Sequence, residues 1–293
     1  MDGISVGCLL REVSYFEVTV QIIDGRSDEH LWAERYARET PYVFSLISDM
    51  ANAIGTEIGA ISVPPAGAGL EQGRMGPVDP RAFEAYLLGT AHLDSLTRDG
   101  IRTALDQLET AVAIEPGFAR AWGQLAAAYA MNGLFGFAPP RDSIESGRAA
   151  AKKAIEADEQ YYGGHSALGW ARLWTGDIDG ACELFEKALQ LNPSAPAAIH
   201  GEADCLMFDG HMDESLARLR ELLTISPFGA IQNLPWPAHL YVARRFDEAI
   251  AAATLMQERT PQFSMHWFLA MVYWKQGRYD EAEKLHAQTL EIL

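Results

Sequence analysis

A mainly helical solenoid of about six antiparallel helical hairpins, preceded by a small antiparallel β-meander and a helix to cover it, is the fold class this sequence predicts. Three observations carry it: a phase of about 34 residues that recurs through the carboxy-terminal two thirds, a β-branched opening segment, and a proline- and glycine-rich stretch between them.

The opening comes first in the chain. Glu17-Val18-Thr19-Val20-Gln21-Ile22-Ile23 is rich in β-branched residues, and Asp24-Gly25-Arg26-Ser27 reads as a turn into His30-Leu31-Trp32-Ala33-Glu34-Arg35-Tyr36. With Gly7 to Arg11 this predicts three strands of a meander. So small a sheet is marginal by itself and needs cover. From Pro41 to about Ala60, the residues Phe44, Ile47, Met50, Ala51, Ile54 and Ile58 recur at three- and four-residue steps, which places them on one face of a covering helix. The stretch 62–80, with Pro64, Pro65, Pro77 and Pro80 among four glycines, has no periodicity and reads as a linker. The expected division is therefore 1–61, 62–80 and 81–293.

Beyond Pro80 the chain repeats itself. Gly176 and Ala181 align with Gly210 and Ser215, Arg244 and Ala249, and Gly277 and Ala282, at spacings of 34, 34 and 33; Pro193, Pro227 and Pro261 keep the same phase. Each unit reads as two helices and two turns. A glycine breaks the first helix, a small residue near the start of the second lets the pair approach closely, and a proline follows the second. Two earlier units fit with insertions: Trp122-x2-Leu125-Ala126-x2-Tyr129 opens one, and Leu88-Gly89 with Ala104, Leu108 and Ala111 lies in the other. The six hairpins are expected near 81–116, 117–160, 161–194, 195–228, 229–262 and 263–293.

These residues resemble the tetratricopeptide repeat family. Its pattern of Trp, Leu-Gly, Tyr, Ala, Phe, Ala and Pro is met in the third unit by Leu168-Gly169, Ala181, Phe185, Ala188 and Pro193, with departures at His165 and Arg172. The resemblance implies a superhelix of hairpins that holds a peptide or partner protein. The segment Val18 to Asp24, followed by Glu29 to Tyr36, looks like the end of a TolB-like amino-terminal region that precedes repeats in many bacterial multidomain proteins. In those relatives an adenylate or guanylate cyclase domain, or a winged-helix DNA-binding domain, often lies upstream. That resemblance implies a fragment or shortened reading frame, and it supplies an alternative function: the carboxy-terminal regulatory part of a cyclase or transcriptional regulator whose effector domain is absent from this chain.

Composition narrows the partners. Forty acidic against 23 basic residues give a net charge of −17, a field that repels phosphate and argues against nucleic acid. No apolar run reaches the ~20 residues that span a bilayer. The expected compartment is the cytoplasm, or the periplasm if a parent protein is membrane-anchored. Cys8, Cys182 and Cys205, odd in number and widely spaced, are expected to be small buried hydrophobes rather than a disulfide framework or zinc site.

No catalytic, cofactor or metal residues are expected. Gly67-Ala68-Gly69 lies in the linker and not between a strand and a helix, and Gly164-His165-Ser166 belongs to the first helix of a repeat and not to a nucleophile elbow. His200, Asp204 and the nearby His211 have the residue types of a metal site, against the blander reading of a solvated or partner-facing pair. The expected activity is instead partner binding. In the family, a stripe on each first helix, spaced by four and then three residues, faces a concave groove. Here it is Ser166, Trp170 and Leu173 with Trp174 beside them, then His200, Asp204 and Met207 with Phe208 adjacent, then Tyr241, then Trp267, Met271 and Trp274. Tryptophan and methionine suit apolar or aromatic partner side chains, and Asp204 suits a basic one. The last unit, ending at Leu290-Glu291-Ile292-Leu293 without a polar cap, adds the expectation of a homo-oligomer or of contact with missing parts of a parent protein.

Overall fold

The computed structural model describes residues 3–12, 15–24, 29–39, 49, 78–226, 234–259 and 265–292. They fall into two compact units, Met1–Glu84 and Ala85–Leu293.

In the first unit, β1 (Gly3–Glu12), β2 (Tyr15–Asp24) and β3 (Glu29–Glu39) form an antiparallel sheet in the order β1-β2-β3. Val18 pairs with Leu9 on one side and Tyr36 on the other, and the register shifts once between Ile22 and Ile23. Val20 is buried, and Arg35 donates from Nε to Glu17 at 2.6 Å across the β2–β3 pair. Apart from Asp49, the expected covering helix over 41–60 lies outside the described residues, as do most of the linker and the turn 25–28.

The second unit is helical. Among the described residues, six hairpins are formed by α1 (Pro80–Leu93, which begins in the first unit) with α2 (Arg98–Ile114), α3 (Ala119–Leu134) with α4 (Pro140–Ala157), α5 (Tyr162–Leu173) with α6 (Ile178–Leu191), α7 (Pro196–Phe208) with α8 (Met212–Ile225), α9 (Pro235–Val242) with α10 (Phe246–Arg259), and α11 (His266–Lys275) with α12 (Tyr279–Ile292). Two helix starts carry side-chain caps. Thr97 Oγ1 accepts from Gly100 N–H and Asp177 Oδ1 from Gly180 N–H, each at 3.1 Å, which satisfies a donor left open in the first turn.

The 34-residue phase is visible in the backbone. Gly176, Gly210 and Gly277 take φ of +86°, +85° and +79°, the left-handed conformation that ends each first helix; Arg244, in the same register, takes +60° with a side chain attached. The small residues of the second helices are shut away, with Ala181, Ser215 and Ala249 at 0% exposure and Ala282 at 3%. Phe185 explains two further glycines. A Cβ on Gly169 of α5 would come within 2.8 Å of its ring, and one on Gly201 of α7 within 2.4 Å, so both helices close on one phenyl group.

One expectation is corrected here. Cys182 of α6 and Cys205 of α7 form a disulfide with their Cα atoms 5.9 Å apart, so two of the three cysteines join successive repeats covalently. Spacing in sequence concealed the pair, because residues 23 apart meet only when a second helix packs on the next first helix.

Candidate partner-binding groove

A cavity of about 710 Å³ opens along the first helices of four successive hairpins. Thr90 and Leu93 of α1, Gln124, Ala127 and Met131 of α3, Ser166, Trp170 and Trp174 at and after α5, and Ala197, His200 and Asp204 of α7 line it, joined by Ser143, Ile144 and Gly147 of α4. Among the described residues, the ionisable side chains in the lining are Asp94, Tyr161, Tyr162, His200 and Asp204, and no lysine or arginine contributes to it.

An aromatic row runs along one wall. The Trp174 ring centroid lies 5.8 Å from that of Trp170, which lies 4.4 Å from the His200 imidazole and 5.2 Å from Phe185. Trp170 Nε1–H donates to the Ala197 carbonyl at 3.2 Å, so this indole both lines the cavity and ties α5 to α7.

Asp204 continues the row. Its Oδ1 is 2.7 Å from His239 Nε2 and 3.7 Å from His200 Nε2, and His239 Nδ1 is 2.8 Å from Ser215 Oγ. With a neutral ring, the Ser215 hydroxyl donates to Nδ1 and Nε2–H donates to Asp204, so every polar atom of the buried imidazole is used. Burial lowers the His200 pKa from 6.5 to about 4, against the opposing pull of Asp204 and with a small push from His239. His200 is therefore neutral at neutral pH. Serine, histidine and aspartate in hydrogen-bonded succession have the residue types of a hydrolytic triad. Ser215 is completely buried and a carbonyl carbon cannot reach it, so the arrangement works as a polar pin between repeats.

Ser166, Trp170, Trp174, His200 and Asp204 line the cavity. Ser166 Oγ bonds the Tyr162 carbonyl within α5, as a helical serine does, and His165 is a packed residue 2.8 Å from the Glu159 carbonyl. Leu173 packs instead on the core around Ala181, Phe185 and Cys205. Met207 is half-buried and Phe208 exposed, and neither lines the cavity. Tyr241 lies 5.7 Å from Phe246 and 6.2 Å from Phe268, against the core of the last two hairpins. Trp267, Met271 and Trp274 are 51%, 38% and 65% exposed on α11, outside the cavity. His211 pairs with Glu214 at 3.0 Å, so the third partner of His200 and Asp204 is His239 and not His211.

Sequence reasoning missed Ser215, His239 and the contribution of α1 and α3 to the cavity. A signal for the first two was present. His239 stands where the other units carry Ala171, Cys205 and Val272, and Ser215 where they carry alanine, so two polar residues occupy buried positions of the repeat.

Family models described as tetratricopeptide repeat match residues 175–234 and 268–293, and the chain carries repeats of this kind. Among solved structures the chain is similar to a human IFIT1 dimer with m7Gppp-AAAA, at 15% identity and a TM-score of 0.60, over 83% of this chain and 55% of that one. It is also similar to the APC/C hetero-tetramer Cut9-Hcn1, at 16% identity and a TM-score of 0.54, over 86% of this chain and 51% of that one. TTC0263, a thermophilic TPR protein of Thermus thermophilus, is 19% identical with a TM-score of 0.49, over 69% of this chain and 98% of that one. These likenesses are of fold alone. Among curated proteins, the putative adenylate cyclase 3 of Rhizobium meliloti (strain 1021) is 28% identical over 180 residues, which cover 60% of this chain and 30% of that protein. The matched segment thus spans less than a third of that relative. The family matches fall in the helical part, and the TolB-like likeness of the amino-terminal strands gains no support from them. Among the described residues, no helix is long and apolar enough to cross a membrane.

Proposed function

We propose that this chain is a protein–protein interaction scaffold that binds a peptide or partner protein in the concave groove of its repeats. Repeats of this family generally serve as non-catalytic mediators of such contacts. The observation that carries the reading is the cavity itself, which lies along four successive first helices and holds Trp170, Trp174, His200 and Asp204 on one wall. Trp267, Met271 and Trp274 belong to the same reading as an exposed apolar stripe on α11. A photo-crosslinker at position 174 is expected to capture a partner that one at Lys187, on the exposed side of α6, does not. Equal capture at both positions would rule the groove out.

The similarity to a putative adenylate cyclase supports a second reading, in which the repeats, preceded by a TolB-like region, are the regulatory part of a cyclase or transcriptional regulator. Under either reading the purified chain forms no cyclic nucleotide from ATP or GTP. Formation of either product would place the chemistry within these 293 residues. Homo-oligomerisation is a further proposal, supported by the exposed stripe on α11; a strictly monomeric mass by sedimentation at high micromolar concentration would exclude it.

A further inference from the structure

We propose that Asp204, with the neighbouring Trp170–Trp174 pair, forms a subsite for a basic side chain, lysine or arginine, of the segment held in the groove; this rests on the groove reading above.

Asp94 and Asp204 bring carboxylates to the cavity lining, and among the described residues no lysine or arginine answers them there. Asp204 is the enclosed one, with its side chain 14% exposed. Its described contacts, to His239 and His200, both reach Oδ1. In the tautomer in which the Ser215 hydroxyl donates to His239 Nδ1, the imidazole meets Asp204 as a neutral Nε2–H donor and the pair keeps one negative charge. His200, held neutral by burial, does not cancel it.

Each class of incoming group then fares differently. An acidic side chain would meet a carboxylate without a cation to balance it. An apolar side chain would strip water from Oδ2 and return no hydrogen bond, which is unfavourable for an ionised group. A basic side chain supplies the missing donor in a charge-assisted bond. Its aliphatic stem can then run along the row formed by His200, Trp170 and Trp174, and an indole face attracts a cation.

The test uses the full chain and fluorescein-labelled ten-residue peptide libraries. Ala, Leu, Trp and Tyr are randomised, and one central position is fixed as Lys, Arg, norleucine or Glu. Fluorescence anisotropy is expected to show the Lys or Arg library binding about tenfold more tightly than norleucine, with Glu weakest; the two basic arms decide between ammonium and guanidinium. Asp204→Asn should reduce that preference to within about twofold, while Asp213→Asn, the same charge change at the exposed start of α8, leaves it intact. Should Asp204→Asn fail to fold, carbodiimide coupling of the Lys library to the native chain gives a second reading. An amide at Asp204, mapped by proteolysis and mass spectrometry, is expected, and coupling only to other carboxylates overturns the subsite. Equal binding of the Lys, Arg and norleucine libraries overturns the subsite and leaves the groove standing, whereas no binding by any library removes both.

Discussion

His239 Nε2 and Asp204 Oδ1 stand 2.7 Å apart, and they belong to the first helices of two successive repeats. Ser215, on the second helix between them, holds the other ring nitrogen at 2.8 Å. Three helices are thus pinned by one imidazole. Replacing His239 by Leu would leave a buried hydroxyl and a mostly buried carboxylate without their partner, a loss of about 2 to 4 kcal/mol. A double-mutant cycle of His239→Leu with Asp204→Asn, followed by urea denaturation, should give a coupling of about 1 to 3 kcal/mol. Strict additivity would mean that the pin contributes nothing.

The repeat architecture was legible because its signals are local and recur. Ala181, Ala249 and Ala282 are small for a reason that returns in each unit, and the glycines at 176, 210 and 277 mark the same backbone turn. Contacts between units carry no such phase. The Cys182–Cys205 bridge and the His239–Asp204 bond each join a residue to one in the next repeat, at offsets set by packing. The stripe rule shows the same limit. Of the residues on it, Trp170, His200 and Asp204 line the cavity, but Leu173, one step along the same rule, turns into the core with Phe185.

Arg244 offers a test of the phase. It occupies the turn position that three other units fill with glycine, and its φ of +60° crowds Cβ against the following carbonyl. Its side chain is exposed. Arg244→Gly should relieve about 1 kcal/mol of strain, offset in part by the greater freedom glycine gives the unfolded chain. A net gain of about 0.5 kcal/mol is expected by chemical denaturation. A loss of stability would show that the residue is not strained.

The small residues give a change in the other direction. Ala181 and Ala249 are at 0% exposure where the second helix meets its partner, and Ala181 shares its cluster with Phe185. Leucine at either position would force the helices apart and cost about 1 to 3 kcal/mol. Thermal unfolding of Ala181→Leu and Ala249→Leu measures this, and native-like melting of both would mean that the register is wrong.

The disulfide should matter through the loop it closes. With 23 residues of sequence separation, the constraint on the unfolded chain corresponds to about 3 kcal/mol in the loop-entropy treatment. The double variant Cys182→Ser with Cys205→Ser is expected to unfold at lower denaturant concentration by about that amount. The native chain in reducing buffer should move towards it. A native chain whose midpoint is unaffected by reductant, with no free thiols lost on oxidation, would show that the bond does not form in solution.

His200 sets a pH window. Its imidazole has an ordinary pKa of 6.5, and burial beside Trp170 lowers this to about 4 in the fold. Between those values the unfolded chain binds a proton that the folded chain refuses, so falling pH favours unfolding. The stability tied to a neutral His200 is complete above about pH 6.5, declines as pH falls, and is fully lost below about 4. The side chain is 22% exposed, and Asp204 partly offsets the burial, so the total is about 2 to 3 kcal/mol. His200→Phe keeps a ring against Trp170 and removes the proton. Urea unfolding of both proteins at several pH values should show their stability difference shifting in favour of the variant as pH drops from 6.5 to 4, and levelling outside that range. Parallel profiles across the window would mean that His200 takes up its proton as readily in the fold as in the unfolded chain, and the groove wall would then carry an extra positive charge in mild acid.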